Sequence, residues 1–132
     1  MSETNLTKKL RISSGQKAVL IGEPAAAQII RDCAPEGVIW ASVEDIEIDY
    51  VHIFARYQAQ IQEVMPAALA CLKHDGLLWI SYPKKSSKSK TDLDRDVFWT
   101  IGTPFRIRPV AQISLDETWS ALRFRPAELV GK

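Results

Sequence analysis

Apolar residues along the chain form short continuous runs that alternate with segments of helical periodicity. Residues 18–21 are apolar at every position, as is typical of a strand buried on both faces of a parallel sheet. Gly22 ends this run, Pro24 suits the first turn of a helix, and Pro35 with Gly37 stops that helix. The apolar face of the helix consists of Ala26, Ile29, Ile30 and Cys33. The pattern therefore predicts a strand, a turn and a helix.

The middle of the chain continues this alternation, and a short amphipathic segment at 4–10 precedes the first strand. Further strands are predicted at 38–43, 50–55 and 77–80. The longest helical pattern places on one face Ile61, Val64, Met65, Ala68, Leu69 and Leu72. Pro66 predicts a kink or a fresh start within this helix, and Asp75-Gly76 predicts its end.

In the last third of the chain, one predicted helix is followed by two consecutive strands. Leu93, Val97 and Ile101 share one face of a predicted helix, and Thr91 with Asp94 resembles a capping box at its start. Residues 106–114 and 119–125 then read as two strands joined by the polar turn 115–118. We expect these two strands to form an antiparallel hairpin that closes the sheet.

This order of elements is typical of an α/β fold with an open, mostly parallel sheet and helices on both faces. We therefore predict a single Rossmann-like α/β domain over residues 1–132, with a C-terminal antiparallel β-hairpin. The 46% of hydrophobic residues and 25% of charged residues agree with a folded domain and exclude a disordered chain.

Charge and motif content exclude several classes of function. The formal net charge of +1 provides no overall field for nucleic acid or an anionic membrane, and no apolar run is long enough to span a bilayer. The start of the chain lacks the pattern of a signal peptide, so we expect a cytoplasmic protein. Cys33 and Cys71 fall on apolar helix faces, and His52 and His74 have no metal-ligand spacing, so no disulfide or metal site is expected.

Several segments resemble class I S-adenosylmethionine methyltransferases. Residues 15–22 are similar to the first strand of that fold, residues 49–54 to its fourth strand, and residues 68–80 to the helix, turn and strand that follow. In addition, residues 77–99 and 116–126 resemble a small uncharacterised bacterial family of methyltransferase-like domains. These resemblances imply a truncated methyltransferase-like fold, and the second of them implies no activity.

The turn after the first strand is where such a fold binds S-adenosylmethionine, on a glycine-rich segment. Here Gly22 is the one glycine kept, and Pro24 removes an amide donor, so we interpret the turn as structural and expect no cofactor. If S-adenosylmethionine does bind, Gly22 and Glu44 are the candidate contacts. Glu44 lies 22 positions after Gly22, near the usual distance for an acid that binds ribose hydroxyls. The alternative for Glu44 is a solvated acidic turn at 44–49.

The carboxyl end of the fourth strand is the place where open α/β sheets bind ligands. Tyr82 lies there as a candidate for chemistry, followed by a candidate anion-binding or partner-binding segment, the lysine loop. Its proposed contacts are Lys84, Lys85, Ser86, Ser87, Lys88 and Lys90. These side chains suit a phosphate, a polyanion or a protein partner. Asp92, Asp94 and Asp96 oppose an anion, so an exposed loop without a ligand is the alternative.

The last predicted strand carries a second basic candidate. Trp119, Arg123 and Arg125 alternate onto one face, where a tryptophan beside arginines suits a nucleic-acid base or another ring. The alternative is an amphipathic edge strand whose arginines oppose aggregation. We interpret Trp79 and Trp99 as core residues.

These observations favour a non-catalytic binding module on a degenerate methyltransferase-like scaffold, with the lysine loop facing an anionic or protein partner. The alternative is a small enzyme that binds S-adenosylmethionine or an adenine nucleotide, with Glu44 on the ribose and Tyr82 near the chemistry. The sequence has neither a Walker loop nor a Gly-x-Ser-x-Gly elbow, which argues against the common nucleotide hydrolases and serine hydrolases.

Overall fold

Six strands form one sheet in the order β2-β1-β3-β4-β6-β5. The computed structural model describes residues 5–85, 87, 90–94 and 96–130. The strands are β1 (Lys17–Ile21), β2 (Ile39–Trp40), β3 (Ile48–Phe54), β4 (Leu72–Pro83), β5 (Ile107–Ser114) and β6 (Trp119–Pro126). The first four strands in this order are parallel, and β6 pairs antiparallel with both β4 and β5. The fold class expected from the sequence is confirmed.

Helices cover both faces of this sheet. They are α1 (Asn5–Leu10), α2 (Pro24–Cys33), α3 (Gln58–Cys71) and α4 (Val97–Gly102), with 3₁₀ turns at Thr103–Phe105 and Ala127–Leu129. Successive residues of β3 point to opposite faces: Tyr50 and Phe54 pack with α1 and α2, whereas Val51 and Ile53 pack with α3 and α4. Burial on both faces explains why five of the seven positions of this strand are apolar or aromatic.

The connections of β1 and β3 run in opposite directions. From β1 the chain passes through α2 to β2 on one side, whereas from β3 it passes through α3 to β4 on the other. Because β1 and β3 are neighbours, their carboxyl ends form the topological switch point, where sheets of this kind bind ligands. We call this place the β1/β3 crevice.

A row of buried polar groups runs across the centre of the sheet. The Tyr50 hydroxyl lies 2.8 Å from His52 Nδ1, and His52 Nε2 lies 2.6 Å from Ser81 Oγ. The imidazole is fully buried and stacks on the Phe54 ring at a centroid distance of 4.5 Å. A neutral imidazole donates one of these hydrogen bonds and accepts the other, so the row is satisfied without a charge. Burial lowers the pKa of His52 to about 3.

The second strand is shorter than the sequence pattern predicts. Instead of residues 38–43, only Ile39 and Trp40 form β2, and both are exposed. The reason is a turn: Ser42 N donates to Asp45 Oδ2, and Asp45 N donates to the Ser42 carbonyl. The chain therefore leaves the sheet early at this edge.

At Pro66 the alternative of a fresh start is wrong, because α3 runs through Pro66 as one helix, and the alternative of a kink stays a prediction. Pro66 is exposed, where water can solvate the carbonyl that loses its amide partner. The expected stop at Asp75-Gly76 is also wrong, since the helix ends at Cys71 and β4 begins at Leu72. Asp75 instead has a left-handed backbone, φ 56°, within β4, whose pairing with β3 is irregular nearby.

The predicted helix with Leu93 on its apolar face is shorter than expected, since α4 begins at Val97 and Leu93 is buried in the preceding loop. The capping box does not form. Thr91 Oγ1 donates to the Arg56 carbonyl and accepts from Leu93 N, while Asp94 Oδ1 accepts from Val97 N. Thr91 therefore folds the loop back onto the segment that follows β3, whereas Asp94 binds the first amide of α4.

Of the interpretations of Trp79 and Trp99 as core residues and of the last strand as an edge strand, the first is confirmed and the other two are wrong. Trp79 is buried as expected, but the core assignment of Trp99 is wrong, because its side chain is 51% exposed on α4. Only one face of this short helix packs on the sheet, through Phe98 and Ile101. The edge-strand alternative for residues 119–125 is also wrong, since β6 lies between β4 and β5. Cys33 and Cys71 are buried on their helices as predicted.

We expect His52 to make the protein less stable as pH falls from 7 to 5. The unfolded imidazole takes up a proton near pH 6.5, but the folded one does so only near 3, so acid favours unfolding between these values. The expected loss is roughly 2 kcal/mol between pH 7 and pH 5. Urea denaturation at several pH values measures it.

For that measurement, H52Q is expected to flatten the pH dependence, whereas H74Q, which alters an exposed imidazole, is expected to keep it. NMR titration of the His52 ring carbons in the unaltered chain measures the pKa of His52 without any substitution. A His52 signal that titrates near pH 6.5 would contradict the prediction.

Candidate functional site

Gly22 forms the turn at the carboxyl end of β1. Its backbone is left-handed, with φ 83°, a conformation that glycine adopts at little cost. A Cβ atom at this position would also overlap the Phe54 carbonyl oxygen of β3. A glycine is therefore required twice, once by the turn and once by the close approach of two backbones at the β1/β3 crevice.

The amino terminus of α2 begins directly after this turn. Glu23 is its N-cap residue, with φ 31° and no capping hydrogen bond from its side chain. The first helical hydrogen bond runs from Ala27 N to the Glu23 carbonyl, so the amides of Ala25 and Ala26 have no acceptor within the helix. Pro24 has no amide hydrogen, as the sequence implied. Two amide donors and the positive end of the helix dipole thus lie beside Gly22.

An ion pair spans the β1/β3 crevice. Arg56 Nε donates to Glu23 Oε1 at 2.7 Å, joining the residue after Gly22 to the second residue beyond β3. Both side chains are about one-third exposed, and the Arg56 guanidinium lies 5.2 Å from the centroid of the Trp119 ring. Sequence reasoning missed this pair. The available signal was an arginine directly after a buried strand, opposite an acid in the first turn.

Glu44 lies beyond β2 at the same edge of the sheet. The parallel register pairs Ala18 of β1 with Trp40, so residues just after Trp40 lie near the carboxyl end of β1. Glu44 N donates to Ser42 Oγ, whereas its exposed carboxylate makes no hydrogen bond or ion pair within the described residues. The structure thus places Gly22 and Glu44 at one edge, and their role in ligand binding stays a prediction.

The lysine loop crosses the carboxyl end of β4. At its start, Lys84 N donates to the Thr118 carbonyl, and Lys84 Nζ donates to Ser114 Oγ and the Asp116 carbonyl at 2.6 Å each. At its end, the Arg56 carbonyl accepts from Asp92 N. The loop therefore reaches from the β5–β6 turn to the end of β3.

Individual lysine-loop residues have different environments. Lys84 holds the β5–β6 turn, and Ser87 Oγ donates to the Lys84 carbonyl at 2.7 Å, whereas Lys85 and Lys90 are exposed. Ser86 and Lys88 lie outside the described residues. Because Lys84 already has two oxygen acceptors, Lys85 and Lys90 are the better-placed described lysines for an anion or a partner. This role stays a prediction.

Tyr82 lines a cleft of about 240 Å³ beneath the lysine loop. Its hydroxyl accepts a hydrogen bond from Gln112 Nε2 at 3.0 Å, and its ring packs against Phe98 with 5% of the side chain exposed. Asp94 and Asp96 line the same cleft as Lys84 and Lys85. The cleft is therefore a mixed polar pocket rather than a purely cationic one.

The predicted basic face of β6 is divided between the two ends of the strand. Trp119 begins β6, is 5% exposed and meets the Phe54 ring edge-on. Arg125 lies near the other end, where it pairs with Asp75 through Nε at 3.0 Å and Nη2 at 2.8 Å. The pKa of Arg123 is lowered, chiefly by its partial burial. These residues do not form one stacking platform, and their predicted contact with nucleic acid stays untested.

The described residues contain neither a metal-binding group nor a helix able to span a membrane. Within them, His, Cys, Asp and Glu side chains form no group of three or more with metal-binding geometry. In the same part of the chain, none of the helices combines the length and apolar character that crossing a membrane requires.

Comparison with known proteins supports the fold. A SAM-dependent methyltransferase from Aquifex aeolicus is similar over 90% of this chain and 86% of its own, with a TM-score of 0.67 and 10% identity. A SAM-dependent methyltransferase from Thiobacillus denitrificans, solved with S-adenosyl-L-homocysteine, is similar over 96% of this chain and 93% of its own, with a TM-score of 0.59 and 10% identity. The N-methyltransferase NodS from Bradyrhizobium japonicum, also solved with that compound, is similar over 92% of this chain and 83% of its own, with a TM-score of 0.54 and 14% identity.

At such low identity these similarities establish a class I methyltransferase-like fold and nothing finer. No protein-family model and no curated protein matches the chain. The resemblance to an uncharacterised bacterial family therefore stays a prediction.

We expect G22A to destabilise the protein by about 2–4 kcal/mol, because the new methyl group meets the Phe54 carbonyl and the backbone remains left-handed. G15A is the matched control: Gly15 has φ 88°, but a Cβ atom there meets nothing within 4 Å. This control is expected to lose only about 1 kcal/mol. Thermal and urea denaturation compare the two, and equal losses would show that the close approach at the crevice is unimportant.

Proposed function

We propose that this protein binds S-adenosylmethionine or S-adenosylhomocysteine in the β1/β3 crevice and is a small methyltransferase-like protein. The observation that carries the proposal is the Gly22 turn, which only glycine fits and which presents the Ala25 and Ala26 amides at the switch point. Solved proteins of the same fold with S-adenosylhomocysteine bound add support.

The residues at the crevice suit the chemistry of such a ligand. S-adenosylmethionine carries a carboxylate, a cationic sulfonium centre and a ribose with two hydroxyl groups. The helix amides of Ala25 and Ala26 and the Arg56 guanidinium would bind the carboxylate, and the exposed Glu44 carboxylate would accept from the ribose hydroxyls. The carboxylate and the ribose hydroxyls of the ligand thus have described partners of the right type.

The Glu23–Arg56 ion pair sets a condition on this binding. Arg56 already holds a carboxylate, so a ligand carboxylate must compete with Glu23 for the guanidinium. The exchange replaces one charge-assisted hydrogen bond with another, which keeps the net gain small. We therefore expect moderate rather than tight affinity.

Catalysis would involve the carboxyl end of β4, the strand that pairs with β3. When bound, S-adenosylmethionine supplies an activated methyl group. The cleft beside Tyr82 lies at the carboxyl end of β4, next to β3, and its polar lining includes Gln112 and Ser120. These groups would orient an acceptor molecule by hydrogen bonds, and the Tyr82 hydroxyl would hold the acceptor's polar atom in place.

A second function, partner binding without a cofactor, is favoured by one observation. The Glu23–Arg56 pair satisfies the charges at the crevice within the chain itself, so the folded state needs no ligand there. Exposed Lys85 and Lys90 would then bind an anionic or protein partner. This function is the expected one if the ligand test below fails.

Isothermal titration calorimetry with S-adenosylhomocysteine tests the first function. We expect one-to-one binding with micromolar affinity, about −8 kcal/mol. E44Q should weaken it by roughly tenfold, because a neutral amide is a weaker acceptor for the ribose hydroxyls than a carboxylate. E36Q removes the same charge from an exposed residue before β2 and should bind normally. A flat trace with the unaltered protein would instead favour partner binding.

The competition at Arg56 gives an independent prediction. E23Q removes the rival carboxylate, so we expect S-adenosylhomocysteine to bind about three- to tenfold more tightly, whereas R56Q should weaken binding by at least tenfold. Calorimetry on both variants measures the expected gain and the expected loss of affinity. Weaker binding by E23Q would contradict displacement and assign Glu23 itself to the ligand.

A further inference from the structure

A separate cleft of about 280 Å³ opens at the amino edge of the sheet. It lies between the start of β4, the start of β5 and the end of β6. Leu72 pairs with Ile48 and Ser81 pairs with Phe54, so six residues of β3, roughly 20 Å, separate the start of β4 from the crevice. The cleft therefore does not depend on the β1/β3 crevice or on the function proposed above.

The floor of the cleft is apolar. Leu78 and Phe124 form its deepest part, with 2% and 1% of their surfaces exposed, and Leu69, Leu72 and Phe105 are half-buried around them. Gly76 contributes to the lining, and a Cβ atom there would meet the Leu72 side chain and narrow the space. This floor suits an aromatic or branched aliphatic group.

The charged rim of the cleft separates into paired and unpaired groups. Arg125 is held by Asp75 through two hydrogen bonds, and Lys73 Nζ lies 2.8 Å from Asp49 Oδ1. By contrast, Arg106 and Glu128 make no hydrogen bond or ion pair through their side chains with any described residue, including each other. One cation and one anion thus remain available at the mouth of an apolar cleft.

Backbone geometry fixes Arg106 in this position. The residue has a left-handed conformation, φ 58°, that a side chain other than glycine adopts only at a cost. Its amide donates to the Thr103 carbonyl at 3.0 Å, and its carbonyl accepts from Ala127 N at 2.8 Å. That second bond also joins Arg106 to the 3₁₀ turn that carries Glu128. These two charges, which have no partner in the described part of the chain, therefore lie on adjoining, hydrogen-bonded segments.

We propose that this cleft binds a small zwitterion with an apolar side chain, of which an apolar α-amino acid is the simplest example. Its carboxylate pairs with Arg106, its ammonium group with Glu128, and its side chain enters the apolar floor. A simple carboxylate would leave Glu128 unpaired beside an anion, and a simple amine would leave Arg106 unpaired beside a cation. Only the zwitterion satisfies both groups.

NMR titration of the ¹⁵N- and methyl-labelled protein tests this proposal with three probes that share a phenyl ring: L-phenylalanine, 3-phenylpropionate and 2-phenylethylamine. We expect L-phenylalanine to cause saturable shifts at Leu69, Leu72, Leu78 and Gly76. The other two probes should bind at least fivefold more weakly, because each loses one of the two charge pairs.

Substitution of the rim charges tests the assignment without endangering the fold. R106G removes the guanidinium and places glycine at a left-handed position, so the chain should fold at least as well as before. R11G is the matched control, since Arg11 is also exposed and left-handed, with φ 62°, but lies outside the cleft. We expect R106G and E128Q each to weaken L-phenylalanine binding about tenfold, and R11G to leave it unchanged.

Several outcomes would overturn the proposal. These are no saturable shift with L-phenylalanine, equal affinity for all three probes, or an equal loss in R106G and R11G. Shifts that map to the β1/β3 crevice instead of the cleft would overturn it as well. The absence of binding at the cleft leaves the test of S-adenosylhomocysteine binding intact, because calorimetry measures that binding at the other edge of the sheet.

Discussion

The parallel pairing of β1 with β3 is the constraint on which the rest of the structure depends. Four register pairs, from Ala18–Tyr50 to Ile21–Ile53, bring the ends of the two strands together. The left-handed Gly22 then lets the backbone pass against the Phe54 carbonyl. Because the two strands continue into helices on opposite faces, this single pairing fixes both the layers of the fold and the position of the crevice.

The elements that the sequence predicts well are those with strong local signals. The continuous apolar run at 18–21 and the helical period after Pro24 need no tertiary information, and both appear where expected. Errors arise where side chains far apart in sequence decide. Thr91 bonds to the Arg56 carbonyl, 35 positions away, and so belongs to a loop rather than a helix start. Trp99 is exposed because a short helix has only one buried face.

In the candidate site, too, interactions between residues far apart in sequence could not be predicted. Gly22, Glu44 and the lysine loop were recognisable because each follows a predicted strand, which places them at the carboxyl edge. The Glu23–Arg56 pair joins residues 33 positions apart, and no local pattern reveals such a partner. Similarly, the sequence shows Lys84 as one of several equivalent lysines, whereas the fold commits it to the β5–β6 turn.

The distribution of ion pairs distinguishes the two edges of the sheet. At the carboxyl edge, Arg56 is paired within the chain, so a ligand must exchange with Glu23 to reach it. At the amino edge, Arg125 and Lys73 are paired, but Arg106 has a costly backbone conformation and no acidic partner among the described residues. A guanidinium that is positioned but unpaired gains its charge-assisted hydrogen bonds only when a ligand arrives. If both proposals hold, binding at the crevice replaces the partner of Arg56, whereas binding at the cleft gives Arg106 a partner.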